Sequence, residues 1–465
     1  MKVPFQIAMC EPRLGLWEVA PASWSAPAPW RFFPAPRQMR SAKWCAPYYV
    51  NASLGFSRHS HRGGNVSSSQ IVPAVRAGAN CPCHNALWQF CFTAALCFWL
   101  AALIPAARAA NTNETARPEH CFQYTNEVVE DMPWSIHIIK IDRERRDFEF
   151  CTTLGKGDVI GMGTVSEQLK TLPRESGQPL AAINGDFYEK SEKHEGRPRD
   201  VQIRFGELIS SPSGHTCFWV APDGTLQMTN VHSEFRVLWP DGKTTPMGLN
   251  QLREEDAAVL YSSAFGASTR TAAGVELVLE RGTNSLWLPL KAGQHYAGRV
   301  REVRTAGNTP LDRGILVLSL GPNLAGRVPS VQPGATLQFV TETFPSLAGV
   351  NIAIGGGPTL VQNGKPMQWS GLIKLRHPRT AMGWSKDHIY LVEVDGRQSN
   401  ISIGMTFPEL ANYMAKLGCE QAMNFDGGGS ATLWALGAVR SSPSEGEERP
   451  APNALVLLKK PSPKP

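Results

Sequence analysis

Three aspartates stand where apolar runs end beside glycines: Asp186 in Asn184-Gly185-Asp186-Phe187-Tyr188, Asp395 in Asp395-Gly396-Arg397-Gln398, and Asp426 in Asn424-Phe425-Asp426-Gly427-Gly428-Gly429-Ser430. Carboxylates at such places can attack an electrophile, activate water or hold a cation, and strand ends are where sites are usually built. Side chains alternate along a strand, so an extended run projects Asn424 and Asp426 from one face. The three glycines allow a tight turn that offers backbone N–H groups to an anion. Taken singly, each aspartate reads equally well as a turn residue accepting local hydrogen bonds. Positive charge suited to a phosphate stands in Arg376-His377-Pro378-Arg379-Thr380. Arginine offers a planar fork to phosphate oxygens, and Thr380 adds a hydroxyl. Arg376 and His377 read equally as a solvated loop; Arg379 is assigned to the site. Gly355-Gly356-Gly357-Pro358-Thr359 reads mainly as a strand-to-strand turn with a close backbone approach.

The elements that must carry these residues are mostly strands. Trp134 to Ile141 alternates β-branched and polar residues, and similar runs recur at 179–183, 274–279, 314–320, 336–341, 388–394 and 454–458, divided by turns rich in Gly, Pro and Asp. Shorter runs, 421–425 and 431–434, flank the triple glycine. One helix is well marked: Thr406-Phe407-Pro408-Glu409 is a capping box, and Phe407, Leu410, Ala411, Met414 and Leu417 repeat at helical spacing until Gly418. A second, weaker helix is expected over 165–172. Mixed β-sheets with a few packed helices give an α+β fold, expected as a single catalytic domain over 120–460 with a disordered tail at 461–465.

Ahead of that domain the composition changes. Residues 1–85 are rich in Pro, Ala, Ser, Arg and Trp and show no sustained period, so no fold is expected there. Residues 86–107, ALWQFCFTAALCFWLAALIPAA, are uncharged and long enough to cross a bilayer, as a signal peptide or a membrane anchor. Pro105 and the small-x-small Ala107-Arg108-Ala109 favour cleavage, giving a mature chain from near Ala110 that is secreted or periplasmic. The alternative is an anchored chain with its catalytic domain outside the cytoplasm. The long run before the apolar segment implies a true start codon downstream of Met1. Of ten cysteines, Cys121, Cys151, Cys217 and Cys419 fall after the leader; widely spaced, they leave room for one or two disulfides and form no thiolate metal motif. Cys81-Pro82-Cys83-His84 has no partner pair. A net charge of +6 gives no case for nucleic acid, and membrane contact is confined to residues 86–107. There is no GxxxxGK[ST] phosphate loop, and no cofactor is predicted; a divalent cation has no clear ligand motif.

Several segments, in order, resemble the phosphodiester glycosidase family: AAINGDFY (181–188), GGGPTLVQNGK (355–365), HPRTAMGW (377–384), LVEVDGRQ (391–398), GMTFPELANYMAKLGCEQAMNFDGGGSATLW (404–434) and ERPAPNALVLL (448–458). The resemblance spans about 125–460. It implies an α+β domain that hydrolyses the bond between an anomeric carbon and a phosphate, often of an N-acetylglucosamine-type sugar. It also implies function at Asn184, Asp186, Arg379, Thr380, Asp395, Arg397, Asn424, Asp426 and the following glycines. Eukaryotic members carry cysteine-rich modules after the catalytic domain; none is seen here, so a lysosomal role is not carried over.

In a mechanism of this kind Asp426 and Asp186 are the candidates for nucleophile or general base, and Asp395 would orient Arg397 or water. Arg379 and the N–H groups of Gly427, Gly428 and Gly429 would stabilise the departing phosphate. Asn184, Thr380, Arg397, Asn424 and Ser430 complete the substrate-binding set. Two rivals remain: a glycan-binding envelope protein without turnover, and a metal-dependent phosphodiesterase built on Asp186, Asp395 and Asp426.

Overall fold

A computed structural model describes residues 122–191, 195–369 and 375–461. The leader, the apolar segment 86–109 and residues 462–465 lie outside the described residues, as do the expectations attached to them.

The expected helix forms at Phe407–Lys416 because both halves of its capping box are made. Thr406 Oγ1 accepts the Glu409 N–H at 3.3 Å, and Glu409 Oε2 accepts the Thr406 N–H at 2.8 Å. It buries Leu410, Ala411 and Met414 against Ile136, Val392 and Ala422 of a seven-stranded sheet, and Gly418 closes it with φ +84°. Val165–Lys170 is the weaker helix, with its own Thr164/Glu167 box. A short turn of helix at Pro322–Ala325 is the only other α-helix among the described residues.

Strands therefore dominate, more than an α+β description conveys. The seven-stranded antiparallel sheet runs in the order Phe122–Val129, Trp134–Asp142, His388–Val394, Arg379–Trp384, Gln421–Asn424, Thr359–Gln362, Lys365–Pro366. A five-stranded sheet places Gln178–Asn184 between Leu433–Ala435 and Ala454–Lys459. A second five-stranded sheet places Ile352–Gly355 between Gln202–Arg204 and Thr216–Val220. Their inner faces meet in one apolar layer holding Ile139, Met382, Leu391, Ile183, Leu455, Phe218 and Ile354. Residues 236–340 form a closed seven-stranded barrel that the sequence reading did not anticipate. Three of its seven strands, Val275–Arg281, Leu316–Leu320 and Thr336–Val340, fall on expected runs and the other four do not; barrel closure depends besides on the long-range pairing of Arg236–Leu238 with Thr336–Val340, which alternation does not encode. Its interior is filled by Trp239, Leu260, Leu277, Leu318 and Phe339, and that core continues into Ile203, Trp219 and Ala353 of the neighbouring sheet.

Among the described residues no cysteine is bridged, where the sequence leaves room for one or two disulfides. Cys151, Cys217 and Cys419 are free and buried, on different elements, and Cys121 lies outside the described residues. Burial pushes the Cys151 and Cys419 thiols up to about 12, so neither is a reactive thiolate.

Candidate active site

The strand registers bring many ends together. Ala381 lies opposite Asn424 and Arg379 opposite Val394, so the start of one strand meets the ends of its two neighbours. Asn184 at the end of its strand lies opposite Ala454 at the start of the next, and Gly355 likewise lies opposite Cys217. Buried amides tie these ends to one another across the layers. Asn184 Nδ2 donates to the Asp426 carbonyl at 2.7 Å, while Asn184 Oδ1 accepts Thr380 Oγ1 at 2.7 Å and the Thr432 N–H at 3.1 Å. Asn424 Nδ2 donates to the Gly357 carbonyl at 3.0 Å. Asn453, not singled out in the sequence, accepts the Asp186 N–H at 2.8 Å and donates to Gln202 at 3.0 Å. Asn184, Thr380 and Asn424 are thus buried frame residues that fix where Asp426 points.

Asp426 keeps 15% of its side chain exposed, unlike Asp186 and Asp395. Burial raises its pKa above the usual carboxylate range, opposed by the Ser430 hydroxyl, Arg449, the Gly427 N–H and Lys190. Arg449 Nη2 stands 3.9 Å from Asp426 Oδ2 and donates to Ser430 Oγ at 2.6 Å. Tyr188 is half-buried within electrostatic reach of both Asp426 and Arg449. Arg397 lies over the glycine turn: a Cβ on Gly428, at φ +62°, would come within 2.8 Å of its Nη2. Its guanidinium also meets His377 Nδ1 at 3.2 Å. His377 is held below its usual pKa by burial, then by Arg379 and Arg397. The turn itself offers an anion less than expected, since the Gly427 N–H goes to Asp426 Oδ1 and the Gly428 N–H to the Pro378 carbonyl.

Asp186 is closed from solvent. Its Oδ2 accepts the Asp200 N–H at 2.7 Å, and its Oδ1 has no hydrogen-bond partner. Burial, then the Asp200 carboxylate, pushes Asp186 up to about 7. For Asp200, burial is outweighed by Ser213, His215 and Cys217, which hold its carboxyl below the ordinary range. A group whose folded pKa is raised gives stability that is present below the unfolded value near 4 and lost as pH climbs through about 7. Asp186→Asn removes that loss. The stability of the variant relative to the parent should therefore rise between pH 4 and pH 8, by on the order of 4 kcal/mol. Urea midpoints across that range test this; a flat difference would mean that Asp186 stays ionised.

Asp395 and Arg379 hold different positions from those expected. Asp395 Oδ2 accepts Ser135 Oγ at 2.7 Å and His137 Nε2 at 2.9 Å, and Oδ1 accepts the Ser442 N–H at 2.6 Å. Of the two partners expected for Asp395, Arg397 or water, the bond to Arg397 is not made: Arg397 takes φ +61° and the chain turns between them. Arg379 donates through Nε to the Met405 carbonyl at 2.9 Å and through Nη2 to the Leu375 carbonyl at 3.2 Å, stacked 4.0 Å over Phe407. Burial, then Arg397, lowers its pKa to about 10. Arg379→Lys loses the fork and the stack, and is expected to cost about 1–3 kcal/mol of stability. An unchanged urea midpoint would show that the strut is dispensable.

Asp200, Arg449, His137 and Glu393 escaped the sequence reading. Arg449 had a signal, since it stands within the ERPAPNALVLL segment; Asp200 had only its place in Arg197-Pro198-Arg199-Asp200.

Residues 291–458 match the model of the phosphodiester glycosidase family. The motifs from 355 onward fall within that match, and AAINGDFY precedes it. The match includes Arg379, Asp395, Arg397, Asp426 and Arg449, while Asn184 and Asp186 precede it. Among solved structures the chain is similar to a hypothetical protein from Synechocystis, at 17% identity and a TM-score of 0.57, covering 72% of this chain and 61% of that one. It thus spans less than two thirds of that relative's length. It is also similar to a protein of Burkholderia pseudomallei described as exported, at 22% identity and a TM-score of 0.55, covering 70% and 74% of the two chains. These likenesses establish the fold alone. The catalytic domain of zebrafish N-acetylglucosamine-1-phosphodiester alpha-N-acetylglucosaminidase, auto-inhibited by its pro-peptide, aligns at 14% identity and a TM-score of 0.38 over 74% and 85% of the chains, too low to support an argument. No curated protein matches the chain. Among the described residues no helix is long and apolar enough to cross a membrane.

Proposed function

We propose that the chain is a hydrolase that cleaves the bond between a sugar anomeric carbon and the phosphate of a phosphodiester, as an exported enzyme. The observation that carries this reading is the pairing of Asp426, the partly exposed carboxylate of the candidate set, with Arg449 beside the glycine turn, inside the matched region. A phosphate leaving group carries its own charge, so the site needs stabilisation of that charge more than an acid. Arg449, whose fork bonds Ser430 and the half-exposed Glu445, supplies positive charge there by exchanging Glu445 for the phosphate, and Arg397 over Gly428 adds a second cation. Asp426 acts on the anomeric carbon, directly or through water, and Asn184 and Thr380 hold its backbone in place. Asp186, shut from solvent, fixes the segment around Asp200.

A metal-dependent phosphodiesterase on Asp186, Asp395 and Asp426 gains no support, because among the described residues these three do not cluster. Hydrolysis of an N-acetylglucosamine-1-phosphodiester in oxygen-18 water tests the reading. Label in the released sugar is the expected result; label in the phosphate would mean phosphorus–oxygen cleavage and overturn it.

A further inference from the structure

His137, Glu393 and Asp395 form a buried group behind the candidate site, and its geometry asks for an occupant. His137 lies directly opposite Glu393 in the sheet, and Glu393 directly opposite Thr380. The ligand-type atoms of the three residues all fall within 4.8 Å of one another, and each residue is almost wholly buried.

The outer atoms of two of these side chains are already held. Tyr124 OH bonds His137 Nδ1 at 2.9 Å, and the Ser442 N–H bonds Asp395 Oδ1 at 2.6 Å. That leaves His137 Nε2 and Asp395 Oδ2 turned to each other at 2.9 Å, with Ser135 Oγ at 2.7 Å from the carboxylate and 3.4 Å from the imidazole. Around an ion bound at about 2.0–2.2 Å, neighbouring ligands stand about 2.8–3.1 Å apart in octahedral geometry, which the nitrogen–oxygen separation matches, whereas the Ser135 contact is a hydrogen bond that would lengthen on binding. Outer partners that fix the ring and carboxylate are the usual second layer of a metal centre. Glu393 Oε2 is fully buried and has no hydrogen-bond partner. Two carboxylates out of water are relieved either by a cation between them or by a proton on one of them.

We propose that this cluster binds one divalent first-row cation of the zinc or manganese class, through His137 Nε2, Asp395 Oδ2, the Glu393 carboxylate and the Ser135 hydroxyl. An imidazole nitrogen with carboxylate oxygens suits zinc or manganese, whereas calcium asks for six to eight oxygens. Glu393 stands opposite Thr380, which donates to Asn184, so the ion would brace the frame that holds Asp426. The inference does not rest on the glycosidase reading, because metal content is measured without substrate.

The competing occupant is a proton on Glu393. The test uses the purified full-length chain, stripped with a chelator and then titrated with zinc or manganese. Bound metal is read by elemental mass spectrometry and stability by thermal melting. One equivalent should bind, with a rise in Tm of several degrees at saturating metal, and both should vanish in Glu393→Gln. Glutamine keeps the shape of a protonated glutamate. If the proton is the true occupant, Glu393→Gln melts like the parent and neither protein retains metal, which overturns the proposal. Should Glu393→Gln fail to fold, the parent titration decides alone: no retained metal and no shift in Tm would overturn it.

Discussion

Asp426→Asn is expected to lower kcat/KM on a sugar-1-phosphodiester by roughly two to four orders of magnitude, the usual range for losing a positioned acid–base or nucleophilic group. The fold should survive. What anchors residue 426 is its backbone: the carbonyl accepts Asn184 Nδ2 and the N–H donates to the Gly185 carbonyl at 3.0 Å, and asparagine keeps both. Its side chain accepts the Gly427 N–H at 3.0 Å, which an amide oxygen can also do. The melting temperature should therefore change little while the charge that attacks or activates water is gone. Near-parental turnover in a folded Asp426→Asn protein would remove Asp426 from the chemistry and with it the proposed mechanism.

Much of the frame was legible, for reasons that differ by element. The helix at Phe407–Lys416 was readable because its capping box and apolar stripe are local signals. The strands ending at Asn184, Val394 and Asn424 were readable because an apolar run stops at a glycine-flanked polar residue. Side-chain direction beyond the strand was not readable. Asp395 and Arg397 looked like a pair, yet the left-handed backbone at Arg397 sends its guanidinium to His377 and leaves Asp395 among Ser135, His137 and Ser442. Arg379 has the right chemistry for phosphate, but the carbonyls of Met405 and Leu375 and the Phe407 ring claim it. Which arginine faces the exposed carboxylate depends on where Arg449 returns, and that is set by the pairing of Ala454–Lys459 with Gln178–Asn184 across more than 250 positions.

Arg449→Ala is the second large effect, expected to lower kcat/KM by roughly two to three orders of magnitude, as for a removed donor at a preorganised charge-stabilising site. Arg449→Lys should recover part of that loss, because it restores the charge but not the fork that spans Ser430 and Glu445. Stability should fall by no more than about 1 kcal/mol, since the side chain is 29% exposed and surface ion pairs contribute little. A pH profile separates chemistry from packing. Arg449 holds the Asp426 pKa down against burial, so its removal raises that pKa. With ionised Asp426 as the active form, the acid limb of the rate profile must then move to higher pH in Arg449→Ala and return toward the parent in Arg449→Lys. A purely structural arginine would lower the rate evenly across pH and leave the limb in place, and that outcome would move the phosphate site away from Arg449.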